Sequence, residues 1–245
     1  MTIDSRRPSR REFLLTTLAV PLVAQALGAQ TQTKQPMKIA FIGSGRQGGA
    51  LGLQFAKAGH EVMFSSRNPD SLKDLVAKAG PKTRAGSPDA AAKWGEVIVI
   101  AVPYGSTPQV GKDYASLMKG KVVIDLGNPN VNRDGPMATD AIKKGTGVAS
   151  AEFLPGVRLV RAFNALSFVQ VEREAHRAGE KLGIPIAGDE AAAVAIVVRL
   201  VEDAGYDPVV VGGLARAREF DTGTPVYVKG LTARQLREAL KLPNP

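Results

Sequence analysis

Between Lys38 and Ser65 the chain reads as strand, glycine turn, helix and strand, and this order restricts the fold more than any other feature. Lys38-Ile39-Ala40-Phe41-Ile42 is a short apolar run with β character. It leads without a spacer into Gly43-Ser44-Gly45-Arg46-Gln47-Gly48. Leu51, Phe55 and Ala58 then recur at helical spacing up to Gly59, and Glu61-Val62-Met63-Phe64-Ser65 forms a second β run. A G-x-G-x-x-G pattern alone says little. Placed between a strand and a helix inside a unit of about 30 residues, it marks a dinucleotide-binding βαβ unit. Gly43 permits the tight turn, Gly45 lets the backbone approach a pyrophosphate, and Gly48 lets helix and strand pack closely. The phosphates would meet a helix N-terminus, whose free N–H groups and dipole favour anions. All six residues, Gly43, Ser44, Gly45, Arg46, Gln47 and Gly48, are cofactor-binding candidates; the competing reading is a purely structural glycine turn.

The end of the second strand selects the nucleotide. An NAD site usually places Asp or Glu there, about 20 residues beyond the motif, on the ribose 2′-hydroxyl. Here the stretch is Ser65-Ser66-Arg67-Asn68. A carboxylate would repel a 2′-phosphate, whereas hydroxyls and a guanidinium can hydrogen-bond it. The expected cofactor is therefore NADP(H), held by Ser65, Ser66 and Arg67. Asn68-Pro69 also suits the N-cap and first position of the next helix.

The alternation continues along the chain. Leu72, Leu75, Val76 and Ala79 make a helical stripe, and Lys82–Ala85 a short third strand. Val97–Val102 is a continuous apolar run, as expected for a strand buried on both faces. Thr107-Pro108 opens a helix bearing Val110, Tyr114 and Leu117, and Lys121–Asp125 is a fifth strand. Further strands are expected at Val157–Ala162, Pro185–Ala187 and Pro208–Val211, with a helix opening at Asp189 and a capping box at Thr232 and Gln235. Such repeats imply an α/β fold: a doubly wound, mainly parallel sheet of the NAD(P)-binding Rossmann type. Residues 37–148 form the expected nucleotide-binding domain. Residues 149–245 form a small α/β C-terminal extension that completes the sheet and the substrate side. Ligands bind beyond the carboxyl ends of the strands, so Val102, Pro103 and Tyr104 should edge the nicotinamide. Asn128 and Asn164 end later strands and suit either the carboxamide or a substrate ring, or simple turn geometry.

The first residues read as an address. Ser9-Arg10-Arg11-Glu12-Phe13-Leu14-Leu15 precedes an uncharged stretch to Gly28, the pattern of a twin-arginine signal peptide over residues 1–29. The stretch is short against the roughly 20 apolar residues a membrane span needs. Residues 30–36 are a polar spacer. The expectation is export through the twin-arginine machinery to the periplasm; that route carries folded proteins, so a cofactor would be acquired beforehand. The chain has 245 residues, a formal charge of +9 and no cysteine. Without thiols, and with only His60 and His176 far apart, no metal site is expected. The basic residues are interleaved with acids and lack an aromatic stripe, so no nucleic acid is expected.

Gly43–Gly48, Ser65-Ser66-Arg67, Val102-Pro103, Arg161-Ala162-Phe163-Asn164, Ala187-Gly188-Asp189 and Val211-Gly212-Gly213-Leu214 together resemble the NADPH-dependent coenzyme F-420 (8-hydroxy-5-deazaflavin) oxidoreductases, whose fold is shared by the nucleotide domain of eukaryotic ferric reductases. The resemblance covers roughly residues 37–230. It implies hydride transfer between NADP(H) and a flavin, a deazaflavin or a small carbonyl or imine substrate, and a homodimer. The cofactors carry such chemistry and the protein aligns them, which agrees with the lack of an identifiable catalytic acid; Tyr104 reads as a lining residue. Export departs from the family, because free deazaflavin and NADPH are cytoplasmic. Either the nucleotide leaves already bound or the acceptor differs. The alternative is an exported, non-catalytic NADP-binding sensor or carrier. Hydroxyacid dehydrogenases and pyrroline-carboxylate reductases share the first βαβ unit but usually add a long helical domain that this sequence lacks.

Overall fold

The computed structural model describes residues 35–243. The expected signal peptide lies outside the described residues. Strand β1 (Lys38–Ile42) leads into helix α1 (Arg46–Lys57), then β2 (Glu61–Ser65), a 3-10 turn over Pro69–Leu72, α2 (Lys73–Ala79) and β3 (Thr83–Gly86). Next come α3 (Pro88–Trp94), β4 (Val97–Ile100), α4 (Thr107–Met118) and β5 (Val122–Asp125). Three short helices follow, α5 (Val131–Asp134), α6 (Pro136–Lys144) and α7 (Thr146–Phe153). The rest is β6 (Arg158–Arg161), α8 (Phe168–Arg173), β7 (Gly183–Gly188), α9 (Ala191–Asp203), β8 (Asp207–Gly212) and α10 (Ala233–Ala239).

The strands make one eight-stranded sheet in the order β3-β2-β1-β4-β5-β6-β7-β8. Every neighbouring pair is parallel except β6 and β7, which run antiparallel. The doubly wound, mainly parallel architecture is therefore present, and β6 to β8 continue the same sheet.

Side-chain alternation along each strand builds the two layers. Ile39, Phe41, Val62, Phe64, Val97, Val99 and Ile124 pack on α1 and α9, against Leu51, Phe55, Val197 and Leu200. Ala40, Ile42, Met63, Ile98, Ile100 and Val123 face the other way, onto α3 and α4, through Ala91, Ala92, Val110 and Met118. Both faces are covered, which is why β4 has no polar position. A third cluster around Phe220, Val209, Val211 and Leu236 closes the far edge of the sheet.

Sequence pattern missed several helices and misplaced some caps. Helices α5 to α7 are short and broken at Gly135 and Gly145, both with positive φ, so no window is long enough to show a period. Helix α8 did carry a readable signal, the Ser167–Gln170 capping box. Asn68 does not cap with its side chain. Asp189 does not open α9; its carboxylate accepts from the Leu214 amide at 2.8 Å, and Glu190 is the N-cap. The Thr232–Gln235 capping box is present.

Candidate functional site

The glycine turn is built as the spacing requires. Gly43 has φ +92°, and a Cβ there would lie 2.8 Å from both the Ala101 oxygen and Val102 Cγ1. A Cβ on Gly48 would collide with the Gly43 carbonyl. Gly45 has only open space beside it, and it caps α1 with no side-chain bond and no acidic residue in the first turn. Arg46, Gln47 and Gly48 supply the first backbone N–H groups of α1, which a helix cannot satisfy internally. The turn thus forms an open, positively polarised concavity suited to a diphosphate.

Two serines tie this turn to β2. The Ser65 amide donates to Ser44 Oγ at 2.9 Å, and the Ser65 hydroxyl donates to the Phe41 carbonyl at 2.5 Å. Ser65 is fully buried, and its hydroxyl hydrogen is committed to the Phe41 carbonyl inside the sheet, although the residue also lines the cleft. Ser66 is half-buried, with its Oγ accepting from the Asn68 amide at 3.1 Å and its own hydrogen free for a ligand. Arg67 is exposed and pairs with no carboxylate among the described residues. Ser44, Ser65, Ser66 and Arg67 line a cleft of about 410 Å³, closed on the other side by Val102, Pro103, Gln109 and Tyr114. Its one carboxylate, Asp113, is held by Gln109 Nε2 at 2.7 Å.

Val102 and Pro103 also border a second chamber of about 580 Å³. These two residues line both spaces, beyond the carboxyl ends of β1 and β4, where the strand order reverses. Ligands of open α/β sheets occupy this position. Tyr104, Asn128 and Asn164, expected near the nicotinamide, all border the second chamber, as do Arg46 and Gln47. Sequence reasoning missed Arg133, Phe168 and Tyr227, which belong to α5, α8 and the stretch before α10.

The polar groups here are highly constrained. The Gln47 amide donates to the Phe163 and Leu166 carbonyls, both at 3.2 Å, so its side chain fastens the turn after β6 and is not offered to a phosphate. The Arg46 guanidinium lies over the Phe168 ring, 5.4 Å from its centre, a cation–π contact at the chamber wall. Asn128 Nδ2 donates to the Asn164 carbonyl at 2.9 Å, and Asn164 Nδ2 to Asn128 Oδ1 at 3.3 Å.

Behind the wall lies a buried charge cluster. Arg161, wholly inaccessible, pairs with Asp125 at 2.9 Å and Asp221 at 2.8 Å and donates to the Gly127 carbonyl at 2.5 Å. Burial opposes its charge, but the two carboxylates outweigh that and hold the guanidinium above its usual pKa. Ser150 Oγ donates to Asp125 at 2.7 Å and lies 3.2 Å from the Tyr104 hydroxyl. Burial pushes the Tyr104 phenol up to about 12. The phenol faces inward, against Ser150 Oγ and the Thr146 carbonyl, and stays protonated at neutral pH. His60 lies buried at the head of β2, taking the Met37 amide on Nδ1 at 3.1 Å, 3.3 Å from Asp203. It fastens the chain at the end of β1 opposite the cleft. His176 has φ +57° and belongs to the turn before β7. Among the described residues no cluster of three His, Cys, Asp or Glu could hold a metal, and no helix is long and apolar enough to cross a membrane.

The fold and its double cleft define the class of dinucleotide-binding α/β proteins. Residues 38–129 match the family model described as NADP oxidoreductase, coenzyme F420-dependent. The chain is 30% identical over 218 residues to the F420-dependent NADP reductase of Methanothermobacter thermautotrophicus, covering 83% of this chain and 93% of the relative. It is 28% identical over 198 residues to the metalloreductase STEAP3 of Rattus norvegicus, across 77% of this chain but 36% of that protein. A putative F420-dependent NADP reductase from Arthrobacter sp. fb24 superposes with a TM-score of 0.65 at 24% identity, over 85% of this chain and 96% of that one. The chain belongs to the F420-dependent NADP reductase family of NADP oxidoreductases.

Proposed function

We propose that this chain passes hydride between NADP(H), bound along the first cleft, and a flavin-like, deazaflavin-like or small carbonyl or imine acceptor in the second chamber. The observation that carries this is that Val102 and Pro103 line both spaces, the first also bordered by Ser66 and Arg67 and the second by Phe168 and Tyr227. Both volumes lie in the range of small-molecule sites, about 300–1,000 Å³. When bound, NADP(H) supplies a hydride at its nicotinamide. The protein's residues supply the rest. The N-terminus of α1 holds the diphosphate, and Ser66 and Arg67 select the 2′-phosphate. Val102 and Pro103 present an apolar edge that keeps water from the reacting face. Asn128 offers its remaining amide valences to a ring or carboxamide. Phe168 and Tyr227 give aromatic surface to a planar acceptor. The neutral, inward-turned Tyr104 supports a reaction needing alignment and no protein acid.

The test is NADPH oxidation by purified protein, followed by loss of reduced-nicotinamide absorbance, against 5-deazariboflavin, riboflavin, a cyclic imine and a small ketone. Turnover with at least one acceptor, with deuterium delivered from labelled NADPH, is expected. Tight NADPH binding without any turnover would refute the reading. Under the same proposal the leader over residues 1–29 carries the folded, nucleotide-loaded protein to the periplasm; amino-terminal sequencing of the exported form tests it.

A further inference from the structure

We infer that the segment 220–228, which brings Tyr227 to the wall of the acceptor chamber, determines acceptor specificity and that Asp221, locked onto buried Arg161, is the positioning residue that holds this wall; the inference rests on the acceptor reading above. Arg161 already has a buried counter-charge in Asp125 and an acceptor in the Gly127 carbonyl. The additional carboxylate, Asp221, comes from 60 residues away and is itself 13% exposed, so that the buried guanidinium faces two carboxylates. Replacing such buried clusters by apolar residues is often neutral or stabilising, so overall stability is a weak reason for keeping this one. Its geometric effect is direct. It fixes the chain at Asp221, and the amides of Thr224 and Tyr227 then turn back onto Asp221 and Thr224 at 3.2 Å each.

Backbone strain marks the same wall. Val228, a β-branched residue, has φ +57°, and Phe163 has φ +60°. Such conformations persist only where the surroundings over-determine them. Each is next to a residue lining the chamber, Tyr227 and Asn164 respectively. Val228 is pinned by donating its amide to the Ala165 carbonyl at 2.9 Å and accepting from Gln170 Nε2 at 3.4 Å. Asn164 joins the two halves. Its Nδ2 faces three acceptors, Asn128 Oδ1, the Phe220 carbonyl and Asp221 Oδ1. That fixes the sense of the amide and leaves the buried Oδ1 with no hydrogen-bond partner among the described residues. A chain running from Asp125 through Arg161, Asp221 and Asn164 thus ends at Asn128, the half-buried amide on the chamber.

Three single variants and one double variant of the full chain test this with 5-deazariboflavin as acceptor and with amide hydrogen exchange. Asp221→Asn should raise the acceptor KM about tenfold, change NADPH affinity by less than about twofold, and speed exchange over 220–230 while α1 and β2 stay protected. Tyr227→Ala should raise KM similarly, and the double variant should be no worse than either single one, because both act on one surface. Val228→Gly removes the strain and should melt no lower than wild type while still raising KM, which a purely structural role would not produce. Unchanged exchange over 220–230 in Asp221→Asn, multiplying effects in the double variant, or an unchanged KM in Val228→Gly would each overturn the inference. Should wild type reduce none of the four acceptors named above, the acceptor reading falls and exchange alone judges the clamp; should it reduce another of them, that acceptor replaces 5-deazariboflavin here.

Discussion

Replacing Arg67 by alanine isolates the choice between NADP and NAD. The guanidinium stands at the carboxyl end of β2, exposed and without an ion pair among the described residues, so its removal breaks nothing inside the protein. A hydrogen bond to a charged group contributes about 1.5–3 kcal/mol. Exposure places Arg67 in the lower part of that span, because water and salt screen it. A loss of about 2 kcal/mol corresponds to roughly 30-fold in Kd at about 1.4 kcal/mol per decade. NAD(H) lacks the 2′-phosphate and should change less than about twofold. Calorimetric titration of NADP and NAD against wild type and Arg67→Ala, at low and high salt, measures this, and the NADP penalty should shrink as salt rises. Two serines calibrate the result. Ser66→Ala should cost NADP about 1.5 kcal/mol, roughly tenfold. Ser65→Ala should instead lower stability by about 1–3 kcal/mol, since it strands the buried Phe41 carbonyl. Equal losses of NADP and NAD in Arg67→Ala would refute the reasoning, because the guanidinium would then be serving the shared diphosphate.

Other outcomes follow from the same geometry. Gly45→Ala should melt within about 1 kcal/mol of wild type, the added methyl meeting nothing, yet bind NADPH at least tenfold more weakly by filling the approach to the diphosphate. Gly43→Ala should lose stability outright, from positive φ and collision with Ala101 and Val102; thermal melts with nucleotide titrations separate the two. Tyr104→Phe removes the bond to Ser150 and should cost about 1 kcal/mol at neutral pH. The folded phenol titrates above its ordinary value of 10.0, at about 12, so the stability it confers is complete below pH 10 and lost as pH rises from there through 12. Denaturant midpoints across that window should fall less steeply in Tyr104→Phe. Tyr206, also raised by burial, keeps some of the slope. The rate profile at neutral pH should keep its shape, and a new inflection there would contradict the inward-facing phenol.

Local spacing determined a good deal of this protein. The βαβ unit, the need for Gly43 and Gly48, the buried β4 and the absence of a carboxylate after β2 all follow from side-chain period and turn stereochemistry, which act over a few residues. The family resemblance rests on the same segments. Tertiary structure decided the remainder. Nothing local shows that β7 turns antiparallel to β6, since apolar runs of that length pair equally well in either sense. Nothing local shows that Ser65 and Ser66 present their hydroxyls differently, although they are neighbours; the pleat sends one into the sheet and leaves the other at the cleft. Phe168 and Tyr227 stand 59 positions apart, and they enclose one chamber with Arg46 and Asn128 only because the sheet order brings four separate loops to one rim. Arg161 makes the point most sharply. In the sequence it is one of two arginines within a β run, and its two carboxylate partners come from β5 and from a loop beyond β8, brought into reach only by packing.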